Sequence, residues 1–369
     1  MQKAGRIAMA LGVTVRSAEV RRSSHAAVRG WLACVAVLVV IMVAVGGATR
    51  LTDSGLSITE WQPIVGTLPP LSDADWQVAF DKYKQIPEYR EVNDGMDLAG
   101  FKTIFWWEWA HRFLGRLIGL AFAVPLVWFW LRRRIPKGYG AGLFGLLVLG
   151  GLQGFIGWYM VQSGLTDRVD VSQYRLAMHL CLAFLILGLL TWTWARLETR
   201  RDDIYLASLP AGAALLSAAI LALCFCQVAL GAFVAGTKAG LVYTTWPLMD
   251  GELVPDGLYA SGPWYRSMFE DHLTIQFNHR VMAYVLVVLA IVQAFRLRHT
   301  DDARVPGFAL GLAVLIVLQA GLGVWTLVSV DGAIPIGLGI AHQTLAAIVF
   351  AASVLQLHSV RTAAVSDAA

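Results

Sequence analysis

Eight apolar runs, each long enough to cross a bilayer as a helix, constrain this chain more than any other feature. A spanning helix needs roughly 20 mainly apolar residues. Runs of that kind lie at about 30–48, 110–131, 140–161, 175–195, 208–234, 276–296, 307–329 and 336–357. With 57% hydrophobic and 15% charged residues, the composition excludes an ordinary soluble domain. The alternating pattern of a lipid-facing β-barrel is absent, so the chain is predicted to be an all-α membrane protein with eight transmembrane helices.

The basic residues between the runs predict the orientation in the membrane. They cluster before the first run and after the second, fourth and sixth, as Arg21, Arg22, Arg29, Arg132, Arg133, Arg134, Lys137, Arg196, Arg200, Arg201, Arg296, Arg298 and Arg304. The positive-inside rule then places both termini in the cytoplasm. The net charge of +4 reflects this topology and does not indicate a nucleic-acid partner. The N-terminal stretch lacks the apolar core of a secretory signal, which favours a bacterial inner membrane, with the mitochondrial inner membrane as the alternative.

An internal repeat divides the chain into two halves. Gly46, Gly55 and Trp61 match Gly231, Gly240 and Trp246 at one constant offset. Gln153 and Gly157 match Gln319 and Gly323 at another. We therefore expect two tandem four-helix bundles related by a pseudo-twofold axis along the membrane normal. The predicted parts are a cytoplasmic segment at 1–29, a first half at 30–200 with a long outer loop at 49–106, a second half at 201–358 and a cytoplasmic tail at 359–369.

The long outer loop carries a helix signal of its own. Ser72 and Asp75 are typical of a helix start, and Trp76, Phe80 and Tyr83 then fall on one face. A short amphipathic helix is expected there.

Four of the eight histidines lie at matching depth, near the outer ends of the even-numbered runs: His111, His179, His279 and His342. A lone membrane histidine is more often an interhelical hydrogen-bonding residue. Here that interpretation must hold four times at equivalent positions, and ionisable groups inside spans are usually functional. Two imidazoles that face each other in a bundle core suit the axial positions of a haem iron. We assign His111 with His179 to one haem, and His279 with His342 to a second.

The neighbours of two of these histidines repeat, with one difference. Arg112 and Arg280 follow their histidines and are suited to pairing with haem propionates, or alternatively to reaching lipid phosphates. Glu108 precedes His111 by three residues, whereas Gln276 stands at the same place before His279. A carboxylate beside one haem can act as a base or stabilise developing positive charge. The first half is therefore predicted to be the reactive one, unless Glu108 simply lies at the lipid headgroups.

Taken together these motifs resemble the haem A synthase family of bacteria and mitochondria across essentially all eight runs. The resemblance rests on Glu108 through Arg112, Asn278 through Arg280, the stretch at 47–57, Arg175 through His179, and Ala341 through Gln343. Some relatives carry a cysteine pair in an outer loop, whereas the cysteines here, Cys34, Cys181, Cys224 and Cys226, all fall inside apolar runs.

The resemblance implies a specific activity. Haem O, the farnesylated haem, would be oxidised at its C8 methyl to a formyl group, which gives haem A for haem-copper oxidases. By likeness, His111 and His179 would bind the substrate haem, His279 and His342 would bind a permanent haem b, and Glu108 would be essential to the chemistry. The implied partners are membrane lipid, the haem O synthase prenyltransferase and a haem-copper oxidase assembly pathway, with homo-oligomerisation left open. Two other functions fit the residues alone: a dihaem electron carrier, and a haem transporter or chaperone.

Overall fold

The computed structural model describes residues 2–62, 65–166, 168–198, 209–302 and 304–364. These residues form eleven α-helices, joined by loops that contain two short 3-10 helices. The α-helices are α1 (Gln2–Leu51), α2 (Asp73–Tyr83), α3 (Pro87–Glu91), α4 (Leu98–Leu131), α5 (Gly140–Gln162), α6 (Gln173–Glu198), α7 (Ala213–Gly236), α8 (Trp264–Glu270), α9 (His272–Leu297), α10 (Arg304–Val328) and α11 (Ile336–Ala364).

Eight of these helices are long and apolar enough to cross a membrane: α1, α4, α5, α6, α7, α9, α10 and α11. The prediction of an all-helical chain with eight spans is therefore confirmed. Several predicted features lie outside the described residues, namely the start of the fifth run at 208, the boundary between the halves at 200–201, Arg200 and Arg201, and the end of the tail.

The start of α4 differs from the predicted run, because the helix begins at Leu98 and not near 110. Hydropathy is lowered there by Lys102 and Glu108, but the backbone remains helical. The side chain of Asp97 accepts a hydrogen bond from the Gly100 N–H at 2.8 Å, which satisfies one of the free donors at a helix start. The first turns of α4 then bury Phe101 and Phe105 against the loop that precedes them.

The spanning helices of each half contact one another in a closed ring. In the first half, α1 and α5 each pack against both α4 and α6. In the second half, α7 and α10 each pack against both α9 and α11. The halves meet where α1 contacts α11, α6 contacts α7, and α6 contacts α11. Exchanging the two halves reproduces this set of contacts, as two tandem bundles require, while the axis itself stays a prediction.

The helix predicted in the long loop is confirmed as α2. Ser72 caps it, since its hydroxyl accepts from the Asp75 N–H at 3.2 Å while the Asp75 carboxylate accepts from the Ser72 N–H at 3.0 Å. Its buried face carries Trp76, Phe80 and Tyr83. The rings of Phe80 and Phe101 stack with centroids 5.0 Å apart, so α2 lies against the extension of α4. Aromatic burial of this kind fixes the loop above the first half.

Candidate site of paired histidines

The four predicted histidines lie on α4, α6, α9 and α11, one on each. His111 and His179 lie on helices of the first ring, α4 and α6, and His279 and His342 lie on helices of the second ring, α9 and α11. All four side chains are only half-buried. Three of them occupy the second turn of their helices, but His111 lies further along because α4 begins at Leu98. Each ring of helices thus contains one of the two predicted pairs, and the binding of a shared group by each pair stays a prediction.

Each imidazole faces a glycine on a neighbouring helix. A Cβ atom added to Gly157 would lie 3.0 Å from Cε1 of His179, and one added to Gly323 would lie 2.8 Å from Cε1 of His342. At Gly231 the distance to Cε1 of His279 would be 3.2 Å, and at Gly46 the distance to Nε2 of His111 would be 3.5 Å. By contrast, Gly154 and Gly321 have nothing within 4 Å of such an atom. A side chain at Gly323, Gly157 or Gly231 would press against the facing ring, most closely at Gly323, whereas Gly46 leaves room for a methyl group.

Three half-buried glutamines also contact these histidines, although the sequence motifs do not assign them to the site. Nε2 of Gln153 donates to the carbonyl oxygen of His179 at 3.1 Å and lies 3.2 Å from its ring Nε2. Gln227 contacts His279 at 3.1 Å and 3.3 Å in the same way. Gln319 donates to the His342 carbonyl at 3.0 Å and lies 3.1 Å from its Nδ1. Each of the three glutamines precedes its glycine by one helical turn, which could have identified them in the sequence. The internal repeat aligns only two of them with each other, Gln153 and Gln319.

These residues fit a pair of haems better than a bare metal ion. In the described ranges no group of three or more His, Cys, Asp or Glu side chains is placed to hold an ion. A porphyrin supplies four nitrogens itself and needs only axial ligands, which two imidazoles provide. Buried polar atoms without partners in the described structure also point to a missing group: Nδ1 of His279 and Oε1 of Gln153, Gln227 and Gln319. Unsatisfied buried atoms are rare in native proteins and call for such an explanation.

Glu108 does not lie at the lipid surface but is buried, with 2% of its area exposed. Its Oε2 accepts from the Ser57 hydroxyl at 2.7 Å and from the Ile58 N–H at 2.6 Å. Its Oε1 accepts from Nε and Nη2 of Arg112 at 3.0 Å and 2.7 Å. Both oxygens are therefore engaged, and the carboxylate ties α4 to the loop after α1. Glu108 is therefore not a surface residue.

The equivalent residues of the second half are arranged alike, with one reversal. Nη2 of Arg112 donates to the Ile58 carbonyl at 2.7 Å, and Nη2 of Arg280 donates to the Tyr243 carbonyl at 3.0 Å. At the position of Glu108, however, Gln276 donates to the Tyr243 carbonyl at 3.0 Å, whereas the carboxylate accepts from a backbone N–H. Toward this loop, the negatively charged hydrogen-bond acceptor Glu108 is thus replaced by Gln276, a neutral hydrogen-bond donor.

A second buried carboxyl lies in the short helix α3. Glu88 is 4% exposed, and its Oε2 has no hydrogen-bond partner among the described residues. Burial, followed by the negative charge of Glu108, raises the pKa of Glu88 to about 8. The protonated form of Glu88 is therefore favoured near neutral pH.

Four charged residues join the two halves beside the loop after α1. Arg50 pairs with Asp53 at 3.1 Å and with Asp170 at 3.5 Å. Lys238 of the second half pairs with the same two carboxylates, at 3.5 Å to Asp53 and 3.0 Å to Asp170. Arg50 also donates to the carbonyl of Ala235 at 3.2 Å. This ion-pair cluster is part of the contact between the halves.

Comparison with known proteins gives one family and a set of full-length relatives. Residues 29–354 match the family COX15-CtaA, described as "Cytochrome oxidase assembly protein". A protein of Parvibaculum lavamentivorans named "Heme A synthase" is 52% identical over 344 residues, which cover 93% of this chain and 97% of the relative. Proteins of the same name from Rhodopseudomonas palustris and Bradyrhizobium diazoefficiens are 48% and 49% identical, over 93% and 90% of this chain and 93% and 91% of their own lengths.

Proposed function

Because this chain belongs to the COX15-CtaA family of cytochrome oxidase assembly proteins, we infer that it is a haem A synthase. It is a haem-dependent membrane oxidoreductase that converts haem O to haem A, by oxidation of the C8 methyl to a formyl group. The bound haems would supply the redox chemistry. The protein itself would hold two porphyrins, exclude water from them and position the charge of Glu108 beside the substrate haem.

Each half holds one haem in this proposal. His111 and His179 would hold the substrate haem O in the first half. His279 and His342 would hold a permanent haem b in the second half. The single observation that carries the assignment is the pairing of four half-buried imidazoles, two in each ring of four helices, each opposite a glycine. Glycine at these places leaves the imidazole and a flat macrocycle the space that a side chain would occupy.

Glu108 makes the first half the reactive one. Its carboxylate accepts four hydrogen bonds, so acting as a base would first require breaking one of the contacts to Ser57 or Ile58. A fixed negative charge needs no such rearrangement, and preorganised charge of this kind is an effective way to stabilise a developing positive charge. Glu108 therefore serves as the group that stabilises charge at the oxidised methyl. Gln276 cannot do this, which leaves the second half to exchange electrons.

Arg112 and Arg280 are the proposed partners of the haem propionates. Their guanidinium groups already bind loop carbonyls, but neither is saturated. Nε of Arg280 is buried and has no partner in the described structure. Nη1 of Arg112 makes one described bond, to the Glu60 carbonyl at 2.9 Å. These remaining N–H groups are available for charge-assisted bonds to a propionate.

The cellular setting follows from the relatives and the charge pattern. The chain is a multi-pass membrane protein, and its bacterial relatives favour the bacterial inner membrane over the mitochondrial one. Both termini lie in the cytoplasm in this proposal, by the positive-inside rule. The proposed partners are the prenyltransferase that makes haem O and the assembly pathway of a haem-copper oxidase.

Extraction of the pigments from the purified protein, with identification by mass, tests the function. A haem A synthase should carry haem b together with farnesylated porphyrin that is hydroxylated or formylated. Two identical unmodified haems would indicate a dihaem electron carrier. Transfer of haem between membranes without any change in mass would indicate a transporter.

A further inference from the structure

The four imidazoles are not all held in the same way. His179, His279 and His342 each meet a glutamine amide, on α5, α7 and α10 respectively. The helix that faces His111 is α1, where Gly46 matches Gly231 in the repeat. At the constant offset of that repeat, Met42 stands where Gln227 stands in the second half. The fourth position of the pattern is therefore occupied by a thioether.

A glutamine at this place can orient a ligating imidazole. A ring that coordinates through one nitrogen carries its proton on the other, and that N–H needs an acceptor. Nε2 of each glutamine donates to the histidine carbonyl, whereas Oε1 is buried and unbonded in the described structure. Rotation of the amide by half a turn exchanges the two atoms, so each glutamine can accept the ring N–H without movement of its helix, in exchange for the bond that it donates to the histidine carbonyl.

Met42 cannot provide this contact, because its sulfur is only a weak acceptor. Its methyl group packs on α4, where a Cβ added to Gly115 would lie 3.5 Å from Cε of Met42. Among the described residues no side chain is hydrogen-bonded to the ring of His111. His111 is thus the imidazole whose orientation is least restricted.

We propose that Gln153, Gln227 and Gln319 are positioning residues for their histidines, and that Met42 leaves His111 as the loosely held ligand. The second half, with a glutamine at both ligands, retains its haem through many turnovers. The first half, with a glutamine at His179 alone, releases its porphyrin when the reaction is complete. This inference rests on the proposed assignment of one haem to each half.

A reciprocal exchange tests it, because methionine and glutamine have nearly the same size and shape. Met42→Gln gives the first half the amide, and Gln227→Met removes it from the second. The purified variants are mixed with excess apomyoglobin as a haem acceptor, and the pigments that remain are identified by mass. Haem b reports the second half and farnesylated porphyrin the first. Outer residues of this kind change metal affinity about 10- to 100-fold, so a change of at least about tenfold in the release rate is expected.

Met42→Gln should slow the loss of farnesylated porphyrin and leave haem b unchanged, while Gln227→Met should accelerate the loss of haem b alone. The EPR g values of the low-spin haem, which depend on imidazole orientation, should shift in Gln227→Met. The thermal unfolding of both variants should stay near that of the wild type. Unchanged release in both variants would overturn the proposal. Protein that carries no haem at all would instead overturn the proposed function.

Discussion

Replacing Glu108 by glutamine separates charge from shape at the proposed reactive site. Both residues have the same length, and Gln276 already occupies the equivalent position beside Arg280. The new amide can turn its NH2 toward the hydroxyl of Ser57, which is able to accept. The bond from the Ile58 N–H is then lost and the pairing with Arg112 is weakened. Arg112 keeps the carbonyls of Ile58 and Glu60, so it is not left unpaired.

The expected loss of stability is therefore moderate, about 2 kcal/mol, which is one hydrogen bond to a charged group. It stays below the roughly 3–5 kcal/mol that follows when a buried ion pair is broken outright. Both haems should remain bound, while formation of the formyl product falls by about a hundredfold or more, as when a preorganised charge is removed. The assay is the ratio of haem A to haem O in extracted pigment, with the Soret absorbance as the measure of haem content.

Ser57→Ala is the matched control, since it removes one bond to Glu108 at a similar cost of about 2 kcal/mol and keeps the carboxylate. Its conversion should fall far less than that of Glu108→Gln. Formyl production at the wild-type rate by Glu108→Gln would refute the role of the charge. Equal loss in both variants would show that the position of the loop matters and the charge does not.

Three further predictions concern the haem sites and the buried acid of α3. His279→Ala or His342→Ala should lose haem b, seen as loss of its low-spin absorption band, while the farnesylated pigment remains. Gly323→Ala should lower the haem b content, because the added Cβ would lie 2.8 Å from the His342 ring, whereas Gly321→Ala, with nothing within 4 Å, should not. The raised pKa of Glu88 means that the folded protein binds this proton more tightly than the unfolded chain, so stability falls as the pH rises from about 4.5 to about 8. Glu88→Gln should flatten this decline in thermal unfolding followed against pH, and an unchanged profile would count against the burial of a protonated Glu88.

Much of the fold was predictable from the sequence because hydropathy and length decide which helices cross a membrane. The N-terminal cap of α2 was equally predictable, since Ser72 and Asp75 form hydrogen bonds with each other within one helical turn. The early start of α4 was not, because its first turns pack on α2 and this contact depends on tertiary structure. The pairing of the histidines could be expected from the internal repeat, because residues at equivalent positions of the two halves are expected at the same depth in the two bundles.

The polar contacts of the site were less predictable. Glu108 meets Ser57 and Ile58, which lie far from it in sequence, and the reversal at Gln276 becomes visible only when both loops are in place. The roles of Gln153 and Gln319 required the knowledge that α5 faces α6 and α10 faces α11. A repeat indicates which residues are equivalent, but it does not indicate which helices are neighbours.

The ion-pair cluster has a consequence for how such a duplicated chain can be divided. Asp53 and Lys238 occupy the same position of the repeat, as do Arg50 and Ala235, and the structure brings these equivalents into contact. Two identical copies of the first half would set aspartate against aspartate, and two copies of the second would set lysine against lysine. Each half has become electrostatically suited to the other, so a separately expressed half should associate with its complement in preference to a second copy of itself.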